Sequence, residues 1–229
     1  MNKTKIEWVA DIKNGIKGYT WNPFTGCLNN CEYCYARKIA LRFNGNFNPE
    51  FHSERLNQPL KVKEPSRIFV GSMGEIGYMD KDWIRQVIEV CNQCPQHTFL
   101  FLSNYRNQDY ILDTFPDNCW FGITITDGNL FDYGFLMDNN IEKKHFISFE
   151  PLQGKIEHLE HIKEWDWVII GAETRNGYTV NDHAPKKEWI EEIVEECGKY
   201  DIPIFLKNNL REICGDKLIQ EIPTIKRGL

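Results

Sequence analysis

The sequence predicts an α/β chain arranged as a partial (β/α) barrel, a single domain over its 229 residues. Three observations carry that reading. Short apolar runs rich in β-formers recur along the chain, segments with helical spacing separate them, and polar residues follow the runs. Strands apolar at nearly every position suit a sheet covered on both faces, and strands alternating with helices imply parallel pairing.

Taken in order, a strand is expected near Tyr19–Pro23, followed by a helix from about Glu32 to Phe43. Residues 44–65 carry Asn, Pro, His and charges without regular period, so they read as a long loop or short helices. Further strands are expected at Arg67–Val70, Thr98–Leu102, Trp120–Thr124, His145–Phe149, Trp167–Ile170 and Ile202–Leu206. Helical spacing marks Asp82–Cys91, through Trp83, Val87, Ile88 and Val90, and Pro185–Tyr200, through Trp189, Ile190, Ile193 and Val194. Shorter helices fit near 106–113, 130–138 and 155–164, giving seven β/α-like units. Ser72, Ser103–Asn104, Thr124–Thr126, Ser148–Glu150, Glu173 and Lys207 stand at strand ends, where a parallel barrel builds its active site.

Composition bounds the function. With 41% hydrophobic residues the chain has material for one large core, which excludes disordered and collagen-like classes. No run approaches the roughly 20 apolar residues that span a bilayer. Met1–Glu7 has no apolar secretory core, so a cytoplasmic protein without membrane partners is expected. The net charge of −6 hides an asymmetry: residues 1–68 hold eleven Lys/Arg against six Asp/Glu, so the remainder is strongly acidic. A basic N-terminal third could meet an anionic ligand or pair with the acidic remainder.

Eight cysteines are present, and Cys27, Cys31 and Cys34 lie within eight residues. In a reducing compartment they are expected as thiols or metal ligands. Their C-x3-C-x2-C spacing follows a predicted strand and runs into a predicted helix. Zinc sites favour four protein ligands, and no fourth Cys or His is near. Three thiolates instead fit a [4Fe–4S] cluster with one iron open to an exogenous ligand. Zinc completed by Cys119 or His97, an electron-transfer cluster, and a chance group of thiols remain alternatives. Cys91-Asn92-Gln93-Cys94 reads as an ordinary helix stop before Pro95, since an auxiliary cluster would need further thiolates. Trp8, Trp21, Phe24, Tyr33 and Tyr35, interleaved with Lys3, Lys5, Lys13, Lys17, Arg37 and Lys38, fit a base-stacking surface, and core packing explains the aromatics equally well. His158 and His161 are three apart and fit an exposed pair.

The cysteine spacing, with an aromatic before the third cysteine, resembles the signature of the radical S-adenosylmethionine (SAM) superfamily. A closer resemblance is to the phage-type three-cysteine-motif group of uncharacterised radical SAM proteins. It rests on Lys5-Ile6-Glu7-Trp8, Trp21 to Cys27, Cys31 to Ala36, Glu54-Arg55-Leu56, Phe69 to Met73, Trp120 to Thr124, Glu150-Pro151-Leu152, Ile170 to Glu173 and Phe205 to Asn208. The chain departs from the group at Ser72-Met73-Gly74-Glu75, where relatives read Ser-Met-Ser-Asp. It departs again at Leu102-Ser103-Asn104-Tyr105-Arg106, where relatives read Leu-Thr-Lys-Arg.

The resemblance implies a radical SAM-type barrel with Cys27, Cys31 and Cys34 as iron ligands and SAM on the fourth iron. It implies a reduced cluster that cleaves SAM to a 5′-deoxyadenosyl radical, which abstracts hydrogen from a substrate. The backbone around Tyr33 is implied to lie against the adenine, and Gly71, Ser72 and Met73 to hold the methionine amino group. Thr124, Ser148 and Glu150 are implied at the ribose and carboxylate. An external one-electron reductant, a flavodoxin or ferredoxin, is implied as partner. A nucleotide or nucleic-acid base is the substrate class expected, and no catalytic side chain is assigned. Similarity of Cys31 to Arg37 to spore photoproduct lyase relatives makes a DNA photolesion lyase the second reading. A zinc-stabilised binding module without catalysis is a third.

Overall fold

The computed structural model describes residues 1–104, 115–133, 144–175, 178–179 and 183–223. The helix expected near 106–113, most of that near 130–138, and Tyr105 and Arg106 lie outside the described residues. The chain divides into two compact units, Met1–Ile123 with Asn140–Lys144, and Thr124–Asn139 with His145–Leu229.

The first unit is ordered by its strands. β1 (Asn2–Lys3) pairs antiparallel with β2 (Lys17–Trp21), a two-residue strand too short for sequence pattern to mark. β3 (Phe24–Thr25) leads into the cysteine loop, which ends in α1 (Tyr35–Asn44). The expected start at Glu32 moves to Tyr35 because Cys34 caps the helix, its Sγ accepting from the Arg37 amide. Within 44–65, β4 (Glu50–Phe51) pairs with β3, and 3-10 turns follow at Ser53–Arg55 and Pro59–Lys61.

β2, β5 (Ser66–Val70), β6 (Thr98–Ser103) and β7 (Cys119–Thr124) are neighbours in that order and parallel. Every residue of β5 is buried, which accounts for a run without polar alternation. Arg67 sits in its middle, 1% exposed, with Nε donating to the Val9 carbonyl at 3.0 Å. Burial lowers its guanidinium to about 10, so it stays charged at neutral pH. α2 (Lys81–Asn92) starts at Asp80, whose carboxylate accepts from the Asp82 amide, and buries Ile84, Val87, Ile88, Val90 and Cys91. Asn118 Nδ2 donates to the Cys91 and Cys94 carbonyls at 3.0 Å each, and both cysteines are buried, as suits a helix stop.

The second unit carries a smaller parallel arrangement. β8 (Gly128–Asn129) pairs with β10 (Ile156–Glu157). β9 (Lys144–Phe149), β11 (Trp167–Ile170) and β14 (Ile204–Leu206) run side by side and parallel, with β11 central. β12 (Thr174–Arg175) and β13 (Tyr178–Thr179) form a hairpin pair. α3 (Lys187–Lys199) buries Ile190, Ile193 and Cys197, and the short α4 (Arg211–Cys214) follows β14. The expected α-helix at 155–164 is instead β10 and a 3-10 helix over Leu159–Glu164. His158, at φ 56°, is left-handed, so no continuous α-helix can run through 155–164. Trp167 is fully buried and its indole donates to the Glu221 carbonyl at 3.0 Å, fastening the C-terminal segment.

No helix among the described residues is long and apolar enough to cross a membrane. In the first unit Trp21 is fully buried, with its indole Nε1 donating to the Arg55 carbonyl at 2.9 Å. Trp21→Ala is therefore expected to lower the unfolding free energy by about 3–5 kcal/mol, read by urea denaturation.

Candidate functional site

The parallel strands of the first unit place three chain segments side by side at their C-terminal ends. Trp21 of β2 pairs with Val70 of β5, and Val70 with Phe101 of β6. Beyond those ends lie the cysteine loop, the Gly71–Met73 turn and Ser103–Asn104. The Gly26 amide donates to the Met73 carbonyl at 2.9 Å, and the Glu75 amide returns to the Gly26 carbonyl at 3.0 Å. Tyr35 Oη donates to the Ser72 carbonyl at 2.6 Å. The cysteines thus meet Gly71, Ser72 and Met73 within one unit.

Two glycines make this approach possible. Gly26 has φ +95°, and a Cβ there would lie 2.0 Å from the Asn48 carbonyl oxygen. Gly71 has φ +73°, and a Cβ would lie 2.5 Å from the Phe24 ring. Both positions exclude every other side chain on backbone and contact grounds.

Each of the three sulfurs accepts an N–H. Asn29 donates its amide to Cys27 Sγ at 3.3 Å, and Arg37 its amide to Cys34 Sγ at 3.3 Å. Asn104 Nδ2 reaches Cys31 Sγ at 3.4 Å and Tyr33 Oη at 3.3 Å. All three cysteines are half-buried, and Cys27 and Cys34 pack with Met73 against Ala36, Ala40 and Phe47. Burial pushes the Cys27 thiol up to about 12, and burial with Cys31 alongside raises the Tyr33 phenol. The metal-free Cys27 is consequently a neutral thiol at physiological pH. A cationic group beside it would reverse that, since a coordinating thiol is deprotonated outright.

Among the described residues no group of three or more His, Cys, Asp or Glu side chains forms that would hold a single metal ion. A cubane cluster attaches each cysteine at a different iron, so its ligand sulfurs need not gather around one point. The donor chemistry fits such a group: unbridged thiols sharing one loop, each taking an N–H of the kind that tunes iron–sulfur clusters.

Sequence reasoning assigned no role to three residues that organise this end. Asn22 Oδ1 accepts from the Met73 amide at 3.0 Å and from Ser72 Oγ at 3.2 Å. Glu75, 6% exposed, accepts from the Asn104 amide at 2.8 Å, the Gly77 amide at 3.1 Å and the Ser103 hydroxyl. Asn104 stands where a cation was expected from the family pattern and supplies neutral donors instead. Asn22 had a local signal in its place inside Trp21-Asn22-Pro23, Asn104 in its strand-end position, and Glu75 in the departure at Ser72–Glu75.

Thr124, Ser148 and Glu150 belong to the second unit. Thr124 is half-buried. Ser148 is fully buried and its Oγ has no hydrogen-bond partner among the described residues. Glu150 Oε1 accepts from Lys207 Nζ, both side chains about a fifth exposed. Near it, buried Glu173 accepts from Gln153 Nε2 at 3.1 Å and lies 3.0 Å from His183 Nδ1. Glu150, Glu173 and Lys207 follow β9, β11 and β14, so the strand-end expectation holds in this unit as well.

A family model described as "Protein of unknown function (DUF5131)" matches residues 3–213. No curated protein matches the sequence. Among solved structures, a spore photoproduct lyase double mutant with bound AdoMet and dinucleoside spore photoproduct is similar at a TM-score of 0.50 and 14% identity. The likeness covers 82% of this chain and 54% of that one, so this chain spans about half the length of its neighbour. What is shared is the fold.

The raised Cys27 thiol gives a direct test on metal-free protein. Alkylation of Cys27 at pH 8, followed by peptide mass spectrometry, is expected to be slow and to quicken only as pH rises toward about 12. Gly26→Ala, which forces the loop off Asn48, is expected to remove that protection.

Proposed function

Because this chain belongs to the DUF5131 family, whose description assigns no activity, we propose its function from the site: a radical SAM enzyme on a partial (β/α) barrel, holding one [4Fe–4S] cluster. The observation that carries the proposal is the loop at the end of β2, with three half-buried thiols, each receiving one N–H, against the Gly71–Met73 turn. The fold likeness to a lyase solved with AdoMet bound supports it.

In this reading Cys27, Cys31 and Cys34 would hold three irons, and with no fourth Cys or His in the loop sequence the last iron would be open to the amino and carboxylate groups of SAM. When bound and reduced, such a cluster would supply the electron for cleaving SAM to methionine and a 5′-deoxyadenosyl radical. The chain's residues hold and shield. Asn22 fixes the Gly71–Met73 backbone toward the methionine amino group, and Met73, Ala36 and Phe47 keep water from the sulfurs. The backbone around Tyr33 is assigned to the adenine. In the second unit, Thr124, Ser148 and Glu150 are assigned to ribose and carboxylate recognition, with Lys207 holding the Glu150 carboxylate in place.

The substrate class assigned is a nucleotide or nucleic-acid base, and the reductant an external one-electron donor. The dinucleoside photoproduct in the neighbouring structure supports the class and gives the second reading, a DNA photolesion lyase.

Anaerobic reconstitution with iron and sulfide, then dithionite and SAM, tests the proposal. About four irons per chain, absorbance near 400 nm and 5′-deoxyadenosine are expected, the chemistry being that of an open-site cluster. Cys34→Ala is expected to lose both iron and SAM cleavage. A colourless zinc protein that leaves SAM intact would instead establish the zinc-stabilised module. Asn104→Leu removes two N–H groups facing Cys31 and Tyr33, so it is expected to lower the cluster's midpoint potential in an EPR-monitored titration while iron content stays unchanged. Acceleration of SAM cleavage by nucleosides, oligonucleotides or photodamaged DNA then sorts the substrates.

A further inference from the structure

Among the described residues four histidines lie within ion-pair distance of a glutamate, and one pair differs from the rest. His52–Glu54, His158–Glu160 and His161–Glu164 are two or three positions apart, and their carboxylates are 67%, 60% and 30% exposed. His183 Nδ1 lies 3.0 Å from Oε2 of Glu173, ten positions back, where the carboxylate side chain is 2% exposed and the imidazole 44%. A carboxylate taken out of water needs fixed donors in its place. This ring is anchored on a buried anion.

The anchor is itself held. The Asn209 side chain clamps the residue before Glu173, donating to the Ala172 carbonyl at 2.8 Å and accepting its amide at 3.2 Å. Gln153 Nε2 donates to the same Glu173 oxygen at 3.1 Å, and the Gln153 amide donates to the Thr126 carbonyl at 2.7 Å. Two residues before Glu173, Gly171 lies under the Glu150–Lys207 ion pair, since a Cβ there would come within 2.9 Å of Lys207 Cδ. The ends of β9, β11 and β14 thus carry one polar group, and the imidazole takes its orientation from it.

That orientation fixes where the ring can react. An ionised carboxylate only accepts, so the neutral imidazole carries its proton on Nδ1 and keeps its lone pair on Nε2. Among the described residues no hydrogen bond to Nε2 is found. A base needs its free nitrogen accessible and its other nitrogen fixed, and His183 has both.

We propose that His183 is an acid–base residue of the second unit, its Nε2 taking a proton from a sugar hydroxyl or base N–H of a bound nucleoside, with Glu173 as its positioning residue. This assignment rests on the reading of the chain as an enzyme acting on nucleotides at its strand ends. In the step, the substrate O–H or N–H bond breaks, its electron pair stays on the substrate atom, and an N–H bond forms at Nε2. The Glu173 carboxylate stabilises the imidazolium, and the half-exposed ring passes the proton to water. No electron moves between partners.

Two measurements on the unaltered full chain test it. Long-range 1H–15N correlation at pH 8 is expected to show His183 protonated at Nδ1, and protonation at Nε2 overturns the proposal. Diethyl pyrocarbonate acylates a free imidazole lone pair, and peptide mass spectrometry follows each histidine. His158, 54% exposed and with Nδ1 also 3.0 Å from a carboxylate, but an exposed one, is the internal reference. His183 is expected to react about threefold or more faster, because its tautomer is fixed. Glu173→Leu is expected to remove that difference while His158 keeps its rate. Equal rates in the unaltered chain overturn the proposal, and so does a difference that survives Glu173→Leu. On reconstituted holoprotein, SAM with 2′-deoxynucleosides or a short oligodeoxynucleotide is expected to slow His183 acylation by about fivefold or more, because a bound ligand covers Nε2. Protection by SAM alone would put His183 in the cofactor pocket and overturn the proposal, as would no protection by the nucleosides or the oligonucleotide. A chain that loads no iron overturns the cluster reading, and the tautomer and acylation rates of the full chain still decide the role of His183.

Discussion

The buried carboxylate of Glu75 is the point on which the site end of the first unit depends. A carboxylate removed from water is tolerated only if donors replace the solvent. Here the Ser103 hydroxyl and the amides of Gly77 and Asn104 do so, while the Glu75 backbone bonds to Gly26. The Glu75 side chain therefore joins the turn after β5 to the end of β6, and its backbone ties both to the loop after β2. Those three strand ends carry the cysteines, Gly71–Met73 and Asn104. Were Glu75 replaced by a residue unable to accept, the turn after β5 and the end of β6 would lose their common partner.

Seven of the eight cysteines sort into two physical populations, with the half-buried Cys214 in neither. Cys91, Cys94, Cys119 and Cys197 are buried to 3% exposure or less and behave as small core residues, with burial raising the Cys91 thiol and pushing that of Cys197 up to about 12. Cys27, Cys31 and Cys34 are half-buried on one loop, and each sulfur accepts an N–H. Burial, with Glu75 and the neighbouring cysteines adding to it, keeps the Cys27 thiol neutral although its sulfur accepts the Asn29 amide, so a thiolate there needs a stronger positive neighbour. A metal centre would supply what the protein does not.

Local features of this architecture were legible in the sequence. The apolar runs of β5, β6, β9 and β11 announced buried parallel strands, and the C-x3-C-x2-C loop announced its own chemistry because ligand spacing is set by adjacent residues. The helix boundary at Tyr35 was misplaced because Cys34, not a usual capping residue, closes the first turn with its sulfur. The segment at 155–164 has helical spacing, but the left-handed backbone at His158 interrupts it. The contacts of Glu75 and Asn104 were not legible for another reason. Apart from Gly77, the partners named above lie 28 or more positions away, and only the parallel register of β2, β5 and β6 brings them together.

The glycines at 26 and 71 give the molecule an uneven tolerance to mutation. Any first- or second-base change in a glycine codon installs a side chain or a stop. At these two positions a side chain would collide with the Asn48 carbonyl or the Phe24 ring. A few residues further on, Lys38, Ile39, Leu41, Arg42 and Phe43 of α1 are exposed, where a change of size is more easily accommodated. Under selection for folding alone, the cysteine loop would resist drift while the adjoining helix face changed freely. Relatives sharing the loop could then diverge in what they recognise without altering how the loop is built.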